Sequence, residues 1–259
     1  METTTSIVID MGSTLMKCGL NDEDTPRAIF SNVVGRTKDA NHSILFGDDA
    51  KSKQSALDLV WPVQLGVITN WDDAERILRY AFNDRLKVAT SERPVLLTER
   101  KNCVNTAYGN PGQNRERITK LMFEAFNVPA FYLGSQPSLS LLALGRDTGI
   151  VLDSGFGSTS ITPIVDGQIQ KAGVAKLGIA GQALSKYATK LLTDRKVKAS
   201  LSDLQFAGND IKEKYGFAAL DYIAELERNV FLNLGSKINT YPKKIDYKMP
   251  DGQTVKLQA

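Results

Sequence analysis

A short apolar run ending in aspartate, followed by a turn of small residues and a second apolar run, occurs twice in this chain. The first copy is Ile7-Val8-Ile9-Asp10 with the turn Met11-Gly12-Ser13-Thr14, leading into Leu15–Leu20. The second is Ile150-Val151-Leu152-Asp153 with Ser154-Gly155-Phe156-Gly157-Ser158, leading into Thr159–Val165. Apolar runs bounded by turn residues read as strands, so each copy is a hairpin with an aspartate at its mouth. One such turn says little, because Gly/Ser turns are common. The repeat points to an internal duplication, and so to a fold of two related halves.

The flanking segments extend the pattern. Strands are predicted at Ser6–Asp10, Leu15–Leu20 and Arg27–Ser31, close enough in sequence to pair as an antiparallel meander. After a polar loop around Thr37–His42, Trp71-Asp72-Asp73 opens a helix in which Leu78, Ala81, Phe82 and Arg85 fall at helical spacing. Pro94–Thr98 reads as a buried strand, Arg115–Phe126 as an amphipathic helix, Ala130–Leu133 as a strand and Pro137–Arg146 as a helix. Strands alternating with helices after a meander imply an α/β fold with a mixed sheet and helices on both faces. The second half restarts with strands at Ile150–Asp153, Thr159–Val165 and Gln168–Ala175 and a helix near Ala180–Leu192. Leu201–Gly216 is expected to be helical, Ala218–Phe231 to be helix or strand, and Lys243–Lys256 to be a hairpin turning at Asp251-Gly252.

Composition removes several classes of function. The 32 basic and 29 acidic residues leave a net charge of +3, and the short clusters Lys243–Lys244 and Arg195–Lys198 form no basic stripe for nucleic acid. The single histidine, His42, leaves no basis for a His-rich zinc site or a Ser-His-Asp triad. Cys18 and Cys103 lie far apart and read as thiols in a reducing compartment. No apolar run approaches the roughly 20 residues of a membrane span, and Met1–Thr5 lacks a signal-peptide pattern, so an intracellular protein is expected.

The chemistry is carried by the turns. Backbone N–H groups of a tight turn point outward together and form a concavity for anions, and small residues let a phosphate approach. An aspartate just before the turn can hold a water of a hydrated magnesium ion. Two such turns facing each other would grip a polyphosphate from both sides.

At these residues the chain resembles the actins. Ile7–Leu20 resembles their first phosphate loop and Ile150–Gly157 the second. Further similar stretches are Asp24–Phe30, Trp61-Pro62, Gly66–Asp73, Pro94–Glu99, Asn114–Phe126, Ser140–Gly149, Asp210–Lys214 and Met249–Gln253, all in order. The resemblance implies the duplicated ribonuclease-H-like fold of actin. Its first lobe would be complete over residues 1–146, with a small inserted subdomain at about 32–70, and its second incomplete over 147–259. It implies ATP or ADP with magnesium as cofactor. Asp10 and Asp153 would face the ion through water, and Gly12, Ser13, Thr14, Ser154, Gly155, Phe156 and Gly157 would lie around the phosphates. Lys17 would reach the phosphates, Gly181 would lie beside the nucleotide, and Lys212 and Glu213 would line an adenine pocket. Gln136 and Asp153 would act in hydrolysis, Gln136 by orienting the attacking water.

Several positions depart from that pattern. Phe156 stands where actins carry an acidic residue, Ser160 and Leu65 where they carry histidines, and Thr14 where they carry glycine, a cost if that site needs positive φ. The loop from Gly35 to Gly47 is short, Asn102–Gln113 is a polar insertion, and the C-terminal third of an actin has no counterpart. The expectation is therefore an actin-related structural subunit of a cytoskeletal or other assembly, with a degenerate ATP/ADP-Mg cleft and little or no hydrolysis. The alternative is a polymerising, slow actin-type ATPase. Partners are expected to be proteins, other actin-like chains among them, with neither nucleic acid nor membrane. The expected location is the cytoplasm and cytoskeleton, axonemal structures included, with the nucleus as the alternative.

Overall fold

A computed structural model describes residues 5–38, 43–100, 111–225, 227 and 245–257. The chain forms two compact units, Met1–Gln182 and Ala183–Ala259. His42, Cys103, Lys243–Lys244, and the insertion as far as residue 110 lie outside the described residues.

The first unit opens with β1 (Ile7–Met11), β2 (Leu15–Leu20) and β3 (Ala28–Ser31), paired antiparallel in sequence order. Ile7, Ile9 and Met11 are buried while Val8 and Asp10 are less so, the period-two pattern of a strand with one face on a core. Next come β4 (Val34–Thr37), β5 (Ile44–Phe46), α1 (Gly47–Ser52) and β6 (Leu57–Val60), whose strands form a small sheet in the order β5-β4-β6. The hairpin β7 (Val63–Gln64) and β8 (Val67–Ile68) turns at Leu65, whose φ of 52° is left-handed and rare for a bulky side chain. Then α2 (Trp71–Tyr80) starts where the Asp73 N–H donates to Asn70 Oδ1 at 3.0 Å, a side-chain cap on the first turn.

β9 (Val95–Glu99) joins β1 in parallel. After α3 (Pro111–Glu124), β10 (Phe131–Ser135) joins β9 in parallel, giving the order β10-β9-β1-β2-β3. Parallel neighbours need crossovers, and α2 and α3 lie in those connections. Phe30, Ile77, Leu78, Phe82 and Met122 are buried in the core that these elements share. α3 starts earlier than the predicted Arg115, with Pro111 at its first position, where a missing N–H costs nothing. α4 (Gln136–Leu142) is shorter than predicted because the chain turns at Gly145, with φ of 67°.

β11 (Gly149–Ser154) and β12 (Thr159–Val165) form the second antiparallel hairpin. The predicted strand at Gln168–Ala175 is instead broken into β13 (Gln168–Ile169) and β14 (Ala175–Leu177) around a 3-10 turn at Lys171–Gly173, and both pieces pair with β12. The cause lies on β12: Pro163 accepts from Gln170 N at 2.9 Å but has no N–H to return, so the ladder lapses there.

α5 (Gly181–Asp194) begins at the end of this unit. The second unit contains most of α5, α6 (Leu201–Tyr215), and a hairpin of β15 (Ile245–Lys248) and β16 (Thr254–Leu257). Ser200 Oγ caps α6 by accepting from Asp203 N at 3.1 Å, and Leu192, Leu204, Ala207, Tyr247 and Met249 form its core. Within the segment predicted as helix or strand, residues 222–225 are helical, and residues 228–231 lie outside the described residues.

Candidate functional site

The two hairpins have the same register. Asp10 lies opposite Lys17 and Asp153 opposite Ser160, seven residues on in each case. In the first turn Gly12 N donates to Leu15 O at 3.0 Å; in the second, Gly155 N donates to Ser158 O at 3.2 Å. Equivalent residues thus close equivalent turns, as an internal duplication requires.

The turns come together. A Cβ placed on Gly157 would sit 3.0 Å from both Ser13 Oγ and Leu65 Cα, tighter than ordinary contact, so glycine eases the close approach of the second turn to the first. Gly12 is equally constrained, since a Cβ there would meet Leu15 O at 2.9 Å. Thr14 is not among the residues with positive φ, so its position does not need glycine and carries no such cost. Between the turns lies a cleft of about 750 Å³, a volume typical of small-molecule sites, with Asp10, Lys17, Arg100, Gln136 and Asp153 among its lining residues. Gly12, Ser13, Thr14, Gly155, Phe156 and Gly157 also line it.

The polar groups of the cleft are engaged with one another. Asp10 Oδ2 accepts from Lys17 Nζ at 3.2 Å. Its Oδ1 accepts from Thr98 Oγ1 at 2.5 Å and from Gln136 Nε2 at 2.9 Å. Asp153 Oδ2 accepts from Arg100 Nη2 at 2.5 Å. Arg100 Nη1 donates to Ser158 O at 3.0 Å and also to Ser158 Oγ. Glu99 and Arg115, also on the cleft wall, pair at 3.1 Å.

Other residues expected at the site make contacts of their own. The Ser154 hydroxyl is 2.8 Å from Thr159 Oγ1 and is not part of the cleft wall. Ser160 is buried on β12, also off the wall. Gly181 supports the second turn from behind: its N–H donates to Gly155 O at 3.0 Å, and the next N–H, of Gln182, donates to Phe156 O at 2.7 Å. Lys212 and Glu213 belong to the second unit, where both bond to Asn209 on the same helix, Lys212 to Oδ1 and Glu213 to Nδ2.

Sequence reasoning passed over Thr98 and Arg100. The available signal was position, since both lie at the carboxyl end of a parallel strand beside the first turn, where open α/β sheets bind ligands.

The sequence matches the family model Actin over residues 1–259. The chain belongs to the actin family. Its members generally bind ATP or ADP with magnesium, and the cleft of this actin-family chain suits the anionic part of such a ligand. Its wall holds residues of both turns and three cations, Lys17, Arg100 and Arg115. A hydrated magnesium ion suits it less well, because the three lining carboxylates, Asp10, Glu99 and Asp153, already accept from cationic side chains. Among the described residues no group of three His, Cys, Asp or Glu side chains could hold a metal directly, and no helix is long and apolar enough to cross a membrane.

Proposed function

We propose that this actin-family chain is a structural subunit of a larger cytoplasmic or cytoskeletal assembly, whose cleft accepts the polyphosphate of ATP or ADP and hydrolyses it little or not at all. The observation that carries this reading is the mutual engagement of the cleft's polar groups. Hydrolysis needs a water ordered against the terminal phosphate and charge stabilisation that is ready in place. Here the Gln136 amide is bonded to Asp10, and Asp153 is paired with Arg100. Loss of one positioning or electrostatic group costs roughly 10²–10³ in rate, and Phe156 and Ser160 stand where actins carry an acidic residue and a histidine, so little turnover is expected. Protein contacts as the mode of action are supported by β11. Among the described residues it pairs only with β12, and its Ile150 and Leu152 side chains are exposed, an edge that proteins usually cover.

The second reading, a polymerising ATPase, draws on the presence of Asp10, Lys17, Gln136 and Asp153 in one cleft. High-speed sedimentation of the purified chain in magnesium and salt separates the two. The structural-subunit reading expects the protein to stay in the supernatant with ATP present. Ordered filaments in the pellet would overturn it in favour of the second reading.

A further inference from the structure

We infer that the Arg100 guanidinium takes the charge-neutralising place of a divalent cation in this cleft, so that the chain holds a nucleoside polyphosphate without a metal ion. The inference rests on the proposed reading of the cleft as a polyphosphate site and adds how the ligand's charge is met.

The duplicated hairpins differ in one charge. In the first, the strand residue opposite the aspartate is a cation, Lys17, within 3.2 Å of Asp10. In the second, the residue opposite the aspartate is Ser160, which has no charge to offer. Asp153 would face the cleft as a bare carboxylate unless a cation came from elsewhere. It comes from the end of β9: Arg100 reaches Asp153 at 2.5 Å, and its side chain is only 13% exposed. The guanidinium also bonds the carbonyl and hydroxyl of Ser158, the last residue of the second turn. A Cβ placed on Gly155 would lie 3.4 Å from its Nη2, so the charge sits against the turn itself.

A guanidinium has five N–H donors in a rigid plane. Three are used on Ser158 and Asp153, which leaves two for an incoming oxyanion, and planar paired donors match phosphate oxygens well. The group is fixed before the ligand arrives, so little side-chain entropy is lost on binding. A divalent ion competing for Asp153 must first displace this partly buried pair, which is costly because it strands one charge. Lys17 and Arg100 then flank the polyphosphate from the two hairpins.

The test is calorimetric titration of the purified full chain with ATP, in magnesium and again in EDTA, for the wild type and for Arg100→Gln and Arg100→Lys. The wild-type dissociation constants are expected to agree within about threefold between the two buffers. R100Q is expected to bind roughly tenfold to a hundredfold more weakly in EDTA, the loss of a charge-assisted donor set, and to recover part of that when magnesium is added. R100K, which keeps the charge and loses the planar donors, is expected to fall between them. A wild type that binds in magnesium and loses about tenfold or more in EDTA overturns the inference while leaving the cleft a nucleotide site. An R100Q variant that melts like the wild type and binds equally well in EDTA overturns it too. If R100Q fails to fold, the two wild-type titrations decide the question. Absence of binding in both buffers would overturn the polyphosphate reading along with the inference.

Discussion

Cys18 lies on β2 at 1% exposure, and burial pushes its thiol up from 9.0 to about 11, with the charge of Arg85 pulling it partly back. A raised value means that the native state holds the proton more tightly than the unfolded chain does. Its contribution to stability is therefore intact below about pH 9 and is lost as pH rises towards 11. Urea midpoints measured across this range should fall for the wild type and fall less for Cys18→Ala. Peptide mapping after thiol labelling at neutral pH should find Cys18 unmodified until urea is added; equal labelling in both states would contradict the burial. Asp73 is a second residue with a definite cost. It is fully buried on α2 and accepts from Asn70 Nδ2 at 3.0 Å, from Arg76 at 3.1 Å, and from Arg36. Asp73→Ala removes the acceptor and leaves two cations facing each other, so a loss of roughly 3 kcal/mol is expected in chemical denaturation.

Between elements, α5 and α6 approach closely at Gly208. A Cβ there would lie 2.3 Å from Thr189 Oγ1 and 2.7 Å from Thr189 N. Alanine is the better helix former by about 1 kcal/mol, but overpacking of a fixed contact costs about 1–3 kcal/mol, and backbone atoms cannot swing aside. Gly208→Ala should therefore destabilise the second unit, seen as an earlier loss of helical circular dichroism; a stabilised variant would show that the helices separate freely. The elements themselves were largely legible. β2 and β12 begin and end where apolar runs meet turn residues, and the α2 start is set by Asn70 and the two aspartates behind it. Pattern could not convey the features that depend on a neighbour. The break between β13 and β14 comes from Pro163 on the facing strand, and the early end of α4 from the left-handed turn at Gly145. The left-handed Leu65 breaks the usual preference for glycine or asparagine, so nothing local announced it.

At the scale of the molecule, the repeated Asp-turn hairpins were visible in the sequence, and the structure brings both into one cleft in the first unit. The state of that cleft was not visible. Phe156 and Ser160 mark departures from actins by their identity alone, whereas Arg100 matters because the fold carries the end of β9 to Asp153, a contact between residues 53 positions apart. Membership of the actin family is therefore carried by the sequence, and so is the expectation of slow chemistry, through Phe156 and Ser160; the side-chain pairing of the cleft is what only three dimensions reveal. The most direct test is to incubate the purified chain with ATP labelled on the terminal phosphate, remove the unbound nucleotide, and monitor both retained label and released phosphate. Retained triphosphate with phosphate release indistinguishable from the protein-free control is the predicted result. Release of the label as free phosphate, stoichiometric with the bound triphosphate and abolished by Gln136→Ala, would contradict it.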